Sequence, residues 1–331
     1  MVRLGLLGAG QVAKKHARAI SVVEGAQLVA VSDVDEARGR QLASDYGAEY
    51  QKDYAQLLKM DLDAVINCLP HYLHHRSTLE AAAQGLHILL EKPMCLTMDE
   101  GKDILAACKR ANVRLMMGFV HRFRQETLDA KELIDQGQLG QVTTGADMVC
   151  APMRADVPGW VWHKAYAGGG VLMYTGVHGV DRMRWLVGSE VRRVYARTRT
   201  YSASMDVEDG LVAFLEFENG AVVMLTQNAP RYGADVPWRT ELYGSKGMVS
   251  LIFNESLQFF SAAQSYTRTY QRYDHFAREI SEFVAAIEEG REPWINGRDG
   301  ILSQAICLGI YESARTGRPV ELKDLLEGIE L

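Results

Sequence analysis

Lys92 stands in Glu91-Lys92-Pro93, at the end of the apolar run His87 to Leu90. Ligands of open α/β sheets bind outside the carboxyl ends of the strands, so a lysine delivered there is placed to hold or exchange a proton. Far upstream, Gly8-Ala9-Gly10-Gln11-Val12-Ala13 has the G-x-G-x-x-A spacing of a dinucleotide-binding turn. Gly8 allows the tight turn, Gly10 lets the backbone approach a pyrophosphate, and Ala13 is small where helix meets sheet. The phosphates would rest on the free N–H groups at the start of the helix that carries Gln11 and Val12. Asp33, twenty positions beyond Ala13, is placed to accept hydrogen bonds from a ribose diol and to repel a 2′-phosphate. This favours NAD(H), while the nearby Arg38 leaves NADP(H) open. A nicotinamide and an amine that handles a proton are the minimum parts of an alcohol or ketone oxidoreductase.

These residues need a particular scaffold, and the hydrophobic pattern supplies it. Val2–Leu7, Gln27–Ser32, Asp63–Leu69, His87–Leu90 and Val113–Gly118 are too continuously apolar to have a wet face and are predicted as strands. Helical patterns lie between them, over Val12–Val23, Glu36–Tyr46, Tyr54–Leu58, His74–Gln84 and Met98–Arg110, the last opened by a capping-box pair, Thr97 and Glu100. The alternation predicts a doubly wound parallel sheet covered on both faces, over residues 1–120. From residue 121 to 331 the rhythm changes to a helix (Glu126–Gln136) followed by longer β-rich runs, with Asn219-Gly220 as a hairpin turn and two closing helices. The second part is predicted as an α+β domain with an antiparallel sheet.

The bulk numbers exclude several classes. With 36 Lys and Arg against 42 Asp and Glu the net charge is −6, and no basic block is present, so nucleic acid and anionic membranes are poor partners. No apolar stretch approaches the ~20 residues of a membrane span. The five cysteines are scattered without a C-x-x-C pattern, and the first residues run straight into a strand. Reduced thiols and a cytoplasmic location are expected.

With these motifs together, and with Gly168-Gly169-Gly170 leading to His178 and Asp181, the chain resembles the glucose–fructose oxidoreductase / inositol dehydrogenase (Gfo/Idh/MocA) family. Pro70 and His74 after the fourth predicted strand, Gly118-Phe119 with Arg122-Phe123, and Tyr243-Gly244-Ser245-Lys246-Gly247 belong to the same resemblance. It implies a Rossmann domain, then a domain on a large, mostly antiparallel sheet whose open face often mediates oligomerisation. A homodimer or homotetramer is the expectation. It also implies hydride exchange between a nicotinamide and a hydroxyl or keto group of a sugar, cyclitol or related carbohydrate. Lys92 takes the family's active-site lysine and His178 its catalytic histidine. The family frequently has an aspartate one helical turn before that histidine; here the position is Tyr174, whose phenol has a pKa near ~10 against ~4 for a carboxylate.

The remaining expectations concern binding. Leu69, Pro70 and His74 are read as a loop contacting ribose or nicotinamide, with Glu91 beside it. The cluster His71, His74, His75 lacks the cysteine pair or H-E-x-x-H pattern of a zinc site, and no metal is expected. Arg122, Arg154, Trp162 and Tyr232 are candidates for a substrate wall with Lys92, Tyr174 and His178, because sugars stack on aromatic rings and hydrogen-bond to arginine. Two other functions fit the same motifs: a relative that cleaves a glycosidic bond through transient oxidation, and a non-catalytic NAD-binding sensor.

Overall fold

The computed structural model describes residues 1–331 apart from 153–156, 203, 231–235, 272 and 330–331. The chain forms two compact units, one of Met1–Val120 with Asp274–Ile301, the other of His121–Tyr273 with Leu302–Glu330.

The first unit opens with β1 (Val2–Leu7), α1 (Gln11–Ile20), β2 (Ala26–Ser32), α2 (Glu36–Asp45), β3 (Glu49–Gln51) and α3 (Tyr54–Leu57). It continues with β4 (Ala64–Asn67), α4 (His71–Ala83), β5 (His87–Glu91), α5 (Met98–Ala111) and β6 (Leu115–Gly118). The six strands are all parallel and run in the order β3-β2-β1-β4-β5-β6. The order reverses direction between β1 and β4, which is the switch point where such sheets open a crevice. Leu4, Leu6, Val31, Ile66, Ile88 and Leu89 are fully buried within it, as both covered faces demand. The predicted capping box forms, with the Thr97 side chain accepting from the Glu100 N–H and the Glu100 carboxylate accepting from the Thr97 N–H. β3 was not anticipated; three residues, none of them buried, leave no apolar run to read.

The second unit carries α6 (Gln125–Asp135), β7 (Val142–Cys150) and α7 (Lys164–Ala167), then a π-helical turn (Leu172–Gly176) that runs directly into α8 (Val177–Val187). There follow β8 (Val191–Arg199), β9 (Gly210–Phe217), β10 (Val222–Asn228), β11 (Arg239–Gly244), β12 (Gly247–Ile252), β13 (Ser256–Ser261) and β14 (Ser265–Thr269). The last elements are α9 (His275–Glu288), α10 (Gly297–Thr316) and β15 (Val320–Glu321). The sheet order is β14-β13-β12-β11-β7-β10-β9-β8-β15, antiparallel except for the parallel pair β7 and β10. Asn219-Gly220 forms the expected turn between β9 and β10, with Gly220 at φ +88°.

The closing helix α9 belongs with the nucleotide-type sheet of the first unit, although it lies more than 150 residues beyond that sheet's last strand. It packs on α1 and buries Phe276, Ile280, Phe283 and Val284. The Phe276 ring meets His16 edge-on at 5.1 Å, and Asp274 caps the helix while pairing with Arg18 at 2.9 Å. Without α9 the apolar side of α1 would face water, which is the physical reason the first unit takes this piece of distant chain.

Candidate active site

Parallel strands end together, so β1, β2, β4 and β5 bring Gly8, Asp33, the Leu69-Pro70 turn and Lys92 to one edge of one sheet. Gly8 has φ +92°, and a Cβ there would lie 3.0 Å from the Cys68 carbonyl, so the fold itself requires glycine. Gly10 differs. Its backbone is ordinary extended chain (φ −72°, ψ −170°), and a Cβ would meet nothing within 4 Å. The fold itself makes no demand for glycine here, and the open space leaves the backbone approachable by a ligand. No side chain caps α1 at Gly10, so the first N–H groups of that helix are available to a pyrophosphate. The cradle fits a dinucleotide, which Gly8, Gly10, Gln11, Val12 and the edge of Asp33 would hold.

Asp33 is nearly buried and fully engaged. One carboxylate oxygen accepts from the Ala9 N–H at 2.8 Å and from Arg38 Nε at 3.1 Å; the other accepts from the Asp35 N–H at 2.8 Å and from Arg38 Nη2 at 2.7 Å. Burial acts to raise its pKa, but Arg38 and the two N–H groups hold the carboxyl below the usual range. A carboxylate has about four acceptor positions. All four are taken, two of them by the guanidinium of Arg38.

The Glu91-Lys92-Pro93 turn is tied down from behind. The Glu91 carboxylate accepts from His16 Nε2 at 2.9 Å and from the Lys92 N–H at 3.2 Å. Burial opposes the Glu91 charge, yet the His16 hydrogen bond and the positive charges near it keep its pKa low. Burial lowers the Lys92 pKa, Lys15 acts in the same sense, and Glu91 opposes both. Glu279 of α9 is fully buried and has no hydrogen-bond partner at either oxygen among the described residues; burial and the Glu91 charge push its pKa well up.

His74 is fully buried, and its ring lies between two carbonyls, Pro93 O at 2.7 Å from Nδ1 and Leu69 O at 2.8 Å from Nε2. Carbonyl oxygens only accept, so both bonds require N–H and the bonded ring is the doubly protonated one. Burial works against that charge and lowers the His74 pKa, with the two carbonyls opposing.

In the second unit, Tyr174 and His178 sit on the π turn and the first turn of α8. The Val177 N–H reaches back five residues to Leu172 O, and such π turns recur at functional sites. The Gly168-Gly169-Gly170 run has a separate cause at each position. Gly168 ends α7 at φ +79°; a Cβ on Gly169 would overlap the Tyr311 hydroxyl, and one on Gly170 the Glu208 carbonyl. Glu208 then caps the turn, accepting from the Gly170 N–H at 2.8 Å, the Leu172 N–H at 3.0 Å and Tyr311 Oη at 2.8 Å. Burial raises the Glu208 pKa against those three donors. Below α8 lies a buried polar frame in which Arg182 pairs with Asp147, and Thr240 donates to Asp147 at 2.6 Å.

The model of the oxidoreductase family with an NAD-binding Rossmann fold matches residues 2–119, and that of the GFO/IDH/MocA C-terminal domain matches residues 127–250. The chain belongs to the Gfo/Idh/MocA family. Its relatives include inositol 2-dehydrogenase of Rhizobium meliloti (strain 1021), 29% identical over 340 residues, covering 97% of this chain and 99% of that protein. D-glucoside 3-dehydrogenase of Escherichia coli (strain K12) is 28% identical over 347 residues, covering 97% of each. The aldose-aldose oxidoreductase of Caulobacter crescentus, solved with glycerol, superposes with a TM-score of 0.88 at 27% identity, covering 97% of this chain and 99% of that one. This Gfo/Idh/MocA chain is thus an NAD-binding oxidoreductase.

Within that family frame, three expected site residues have partners in the fold itself. The His74 ring lies between the Leu69 and Pro93 carbonyls and ties those two turns together. Glu91 directs its carboxylate inward to His16 and orients the Lys92 turn from behind. Arg122 is buried and forks Asp181 of α8, with its Nε 2.9 Å from one carboxylate oxygen, which ties it to that helix. Trp162 is half-buried in the turn before α7. Arg154 and Tyr232 lie outside the described residues. Glu208, His121, Arg182 and Asp147 were missed by sequence reasoning. Only the crowded glycines hinted that some group had to approach that backbone.

Proposed function

We propose that this oxidoreductase exchanges hydride between NAD(H) and a secondary hydroxyl or keto carbon of a sugar, cyclitol or related polyol. The observation that carries the reading is Lys92, with its lowered pKa, at the same sheet edge as Gly8, Gly10 and Asp33. NAD, when bound, supplies the two-electron acceptor. Gly10 and the start of α1 bind its phosphates, and the Asp33–Arg38 pair faces its adenosine ribose. His178 is assigned the exchange of the hydroxyl proton, imidazole being a side chain that both takes up and gives back a proton. Lys92 is assigned the electrostatic support of the developing alkoxide, and Tyr174 a hydrogen bond to the substrate. Trp162 is assigned to the sugar wall. The names of the inositol and D-glucoside dehydrogenases among the relatives support the carbohydrate class.

Absorbance of the reduced nicotinamide, followed on adding a panel of polyols and sugars with NAD, tests this. Sustained turnover is expected. Product release without net reduction would instead point to transient-oxidation cleavage of a glycoside, and silence across the panel to a sensor. Lys92→Met should keep NAD affinity within roughly tenfold and lose roughly 10²-fold of turnover, the scale of a lost group that stabilises a developing oxyanion. Near-normal turnover of Lys92→Met would remove the lysine from the mechanism.

A further inference from the structure

His121 lies in the short turn Val120–Phe123, 57 positions before His178 in the chain. The two imidazoles nonetheless stack face to face, with ring centroids 4.0 Å apart and planes 16° from parallel. On its other sides His121 meets Phe253 at 5.2 Å and Trp238 at 5.9 Å, both tilted. Its Nδ1 lies 3.0 Å from Nη1 of Arg182. A guanidinium only donates, so His121 Nδ1 must carry its lone pair and the proton of the neutral ring sits on Nε2. Arg182 is held in turn by Asp147 of β7 and Thr240 of β11, and its guanidinium lies 4.3 Å over the Phe253 ring. Arg182 is also four residues beyond His178 on α8, on the same helix face. Strand, helix and turn therefore converge on one imidazole whose tautomer and plane are fixed, and that plane is laid against His178.

We propose that His121 is a positioning residue for the acid–base reaction of His178: a neutral, arginine-locked ring that fixes the His178 imidazole plane by stacking. The proposal rests on the reading of His178 as the proton-exchanging group. A ring that can rotate about its χ2 bond presents its nitrogen in the reacting direction only part of the time, and small losses of orientation cost turnover far more than binding. Stacking on a ring that is itself held at its edge removes that freedom without taking a hydrogen-bonding position from His178.

Two substitutions separate the stacked face from the hydrogen bond. His121→Asn keeps an acceptor for Arg182 and removes the ring; His121→Phe keeps a ring and removes the acceptor. With NAD and the fastest-reacting member of the polyol and sugar panel, His121→Asn should lower kcat by roughly tenfold with KM within about twofold, the pattern of an interaction made in the transition state. His121→Phe should retain kcat within about threefold, about half the logarithmic loss of a tenfold effect. The ¹⁵N signals of the His178 ring should move in His121→Asn, reporting the lost stack without reference to turnover. Thermal midpoints confirm that each variant is folded. In a His178→Ala background, His121→Asn should have no further effect on the residual rate.

Equal damage in the Asn and Phe variants would show that Arg182 needs an acceptor and the ring is incidental, which overturns the proposal. A wild-type kcat in His121→Asn beside an inactive His178→Ala overturns it alone. Near-normal turnover of His178→Ala overturns the underlying acid–base reading, and the positioning role with it.

Discussion

At the scale of single residues, the Asp33–Arg38 pair shows more than the sequence could express. The spacing from Ala13 to Asp33 announced a ribose carboxylate, but not that Arg38 Nε and Nη2 would occupy two of its four acceptor positions. A ribose diol must displace the guanidinium, whereas a 2′-phosphate would find it in place. NAD⁺ is expected to bind more tightly than NADP⁺, since the carboxylate still opposes a phosphate dianion. Arg38→Ala should widen that preference, with NADP⁺ affinity falling by roughly tenfold as a charge-assisted contact is lost. Fluorescence titration of both cofactors against both proteins measures it, and an unchanged ratio would separate Arg38 from cofactor choice. Tyr174 stands where the family resemblance leads one to expect an aspartate. A hydrogen-bonding role requires Tyr174→Phe to lose at least roughly tenfold of turnover, about 1.4 kcal/mol. Full activity in Tyr174→Phe beside an inactive His178→Ala would make the phenol packing.

At the scale of elements, what could be read in advance follows the strength of the hydrophobic pattern. β1, β2, β4, β5 and β6 were legible because buried parallel strands are continuously apolar, and β9 and β10 because Asn219-Gly220 marks their hairpin. β13 and β14 were not: Ser265–Thr269 is a largely polar edge strand, and Ser256–Ser261 sets only Leu257, Phe259 and Phe260 among serine and glutamine, too short a run to read. The site divides the same way. Glycine spacing and the Glu91-Lys92-Pro93 turn are local signals, whereas the His121–His178 stack and the seating of α9 on α1 are long-range contacts with no local trace. That seating also makes a prediction. Glu279 of α9 is buried with its carboxyl pKa well above the unfolded value of about 4.3. Between those two values the folded chain holds a proton that the unfolded chain releases, so stability falls as pH rises through that window. Glu279→Leu removes the titrating group. Its thermal midpoint relative to wild type should therefore be more favourable at pH 8 than at pH 5. A gap of the same size at both pH values would mean that another group titrates.

At the scale of the whole molecule, the sheet of the second unit has two unlike faces. Ala213, Leu215, Val223 and Leu225 point inward and are buried, with α8 packed on β7 and β10 on this side. The alternate residues point outward, and register sets Tyr195, Phe214, Met224 and Ala146 side by side across β8, β9, β10 and β7. Phe214 remains 44% exposed, Val212 43% and Phe260 43%. Apolar side chains gathered across one sheet face in this way mark an interaction surface more often than scattered ones do. The partner of simplest chemistry is a second copy, because a two-fold contact lets one patch cover itself. A dimer or tetramer is expected by light scattering at micromolar concentration, with about 800 Å² or more covered per protomer in each stable interface. Phe214→Glu puts a carboxylate within the patch, where a self-contact would bring like charges close. It should shift the mass toward the monomer while leaving the thermal midpoint of the NAD-binding unit nearly unchanged. A wild-type chain that scatters as a monomer would show that this face is left to water, and Phe214→Glu would then alter neither mass nor stability.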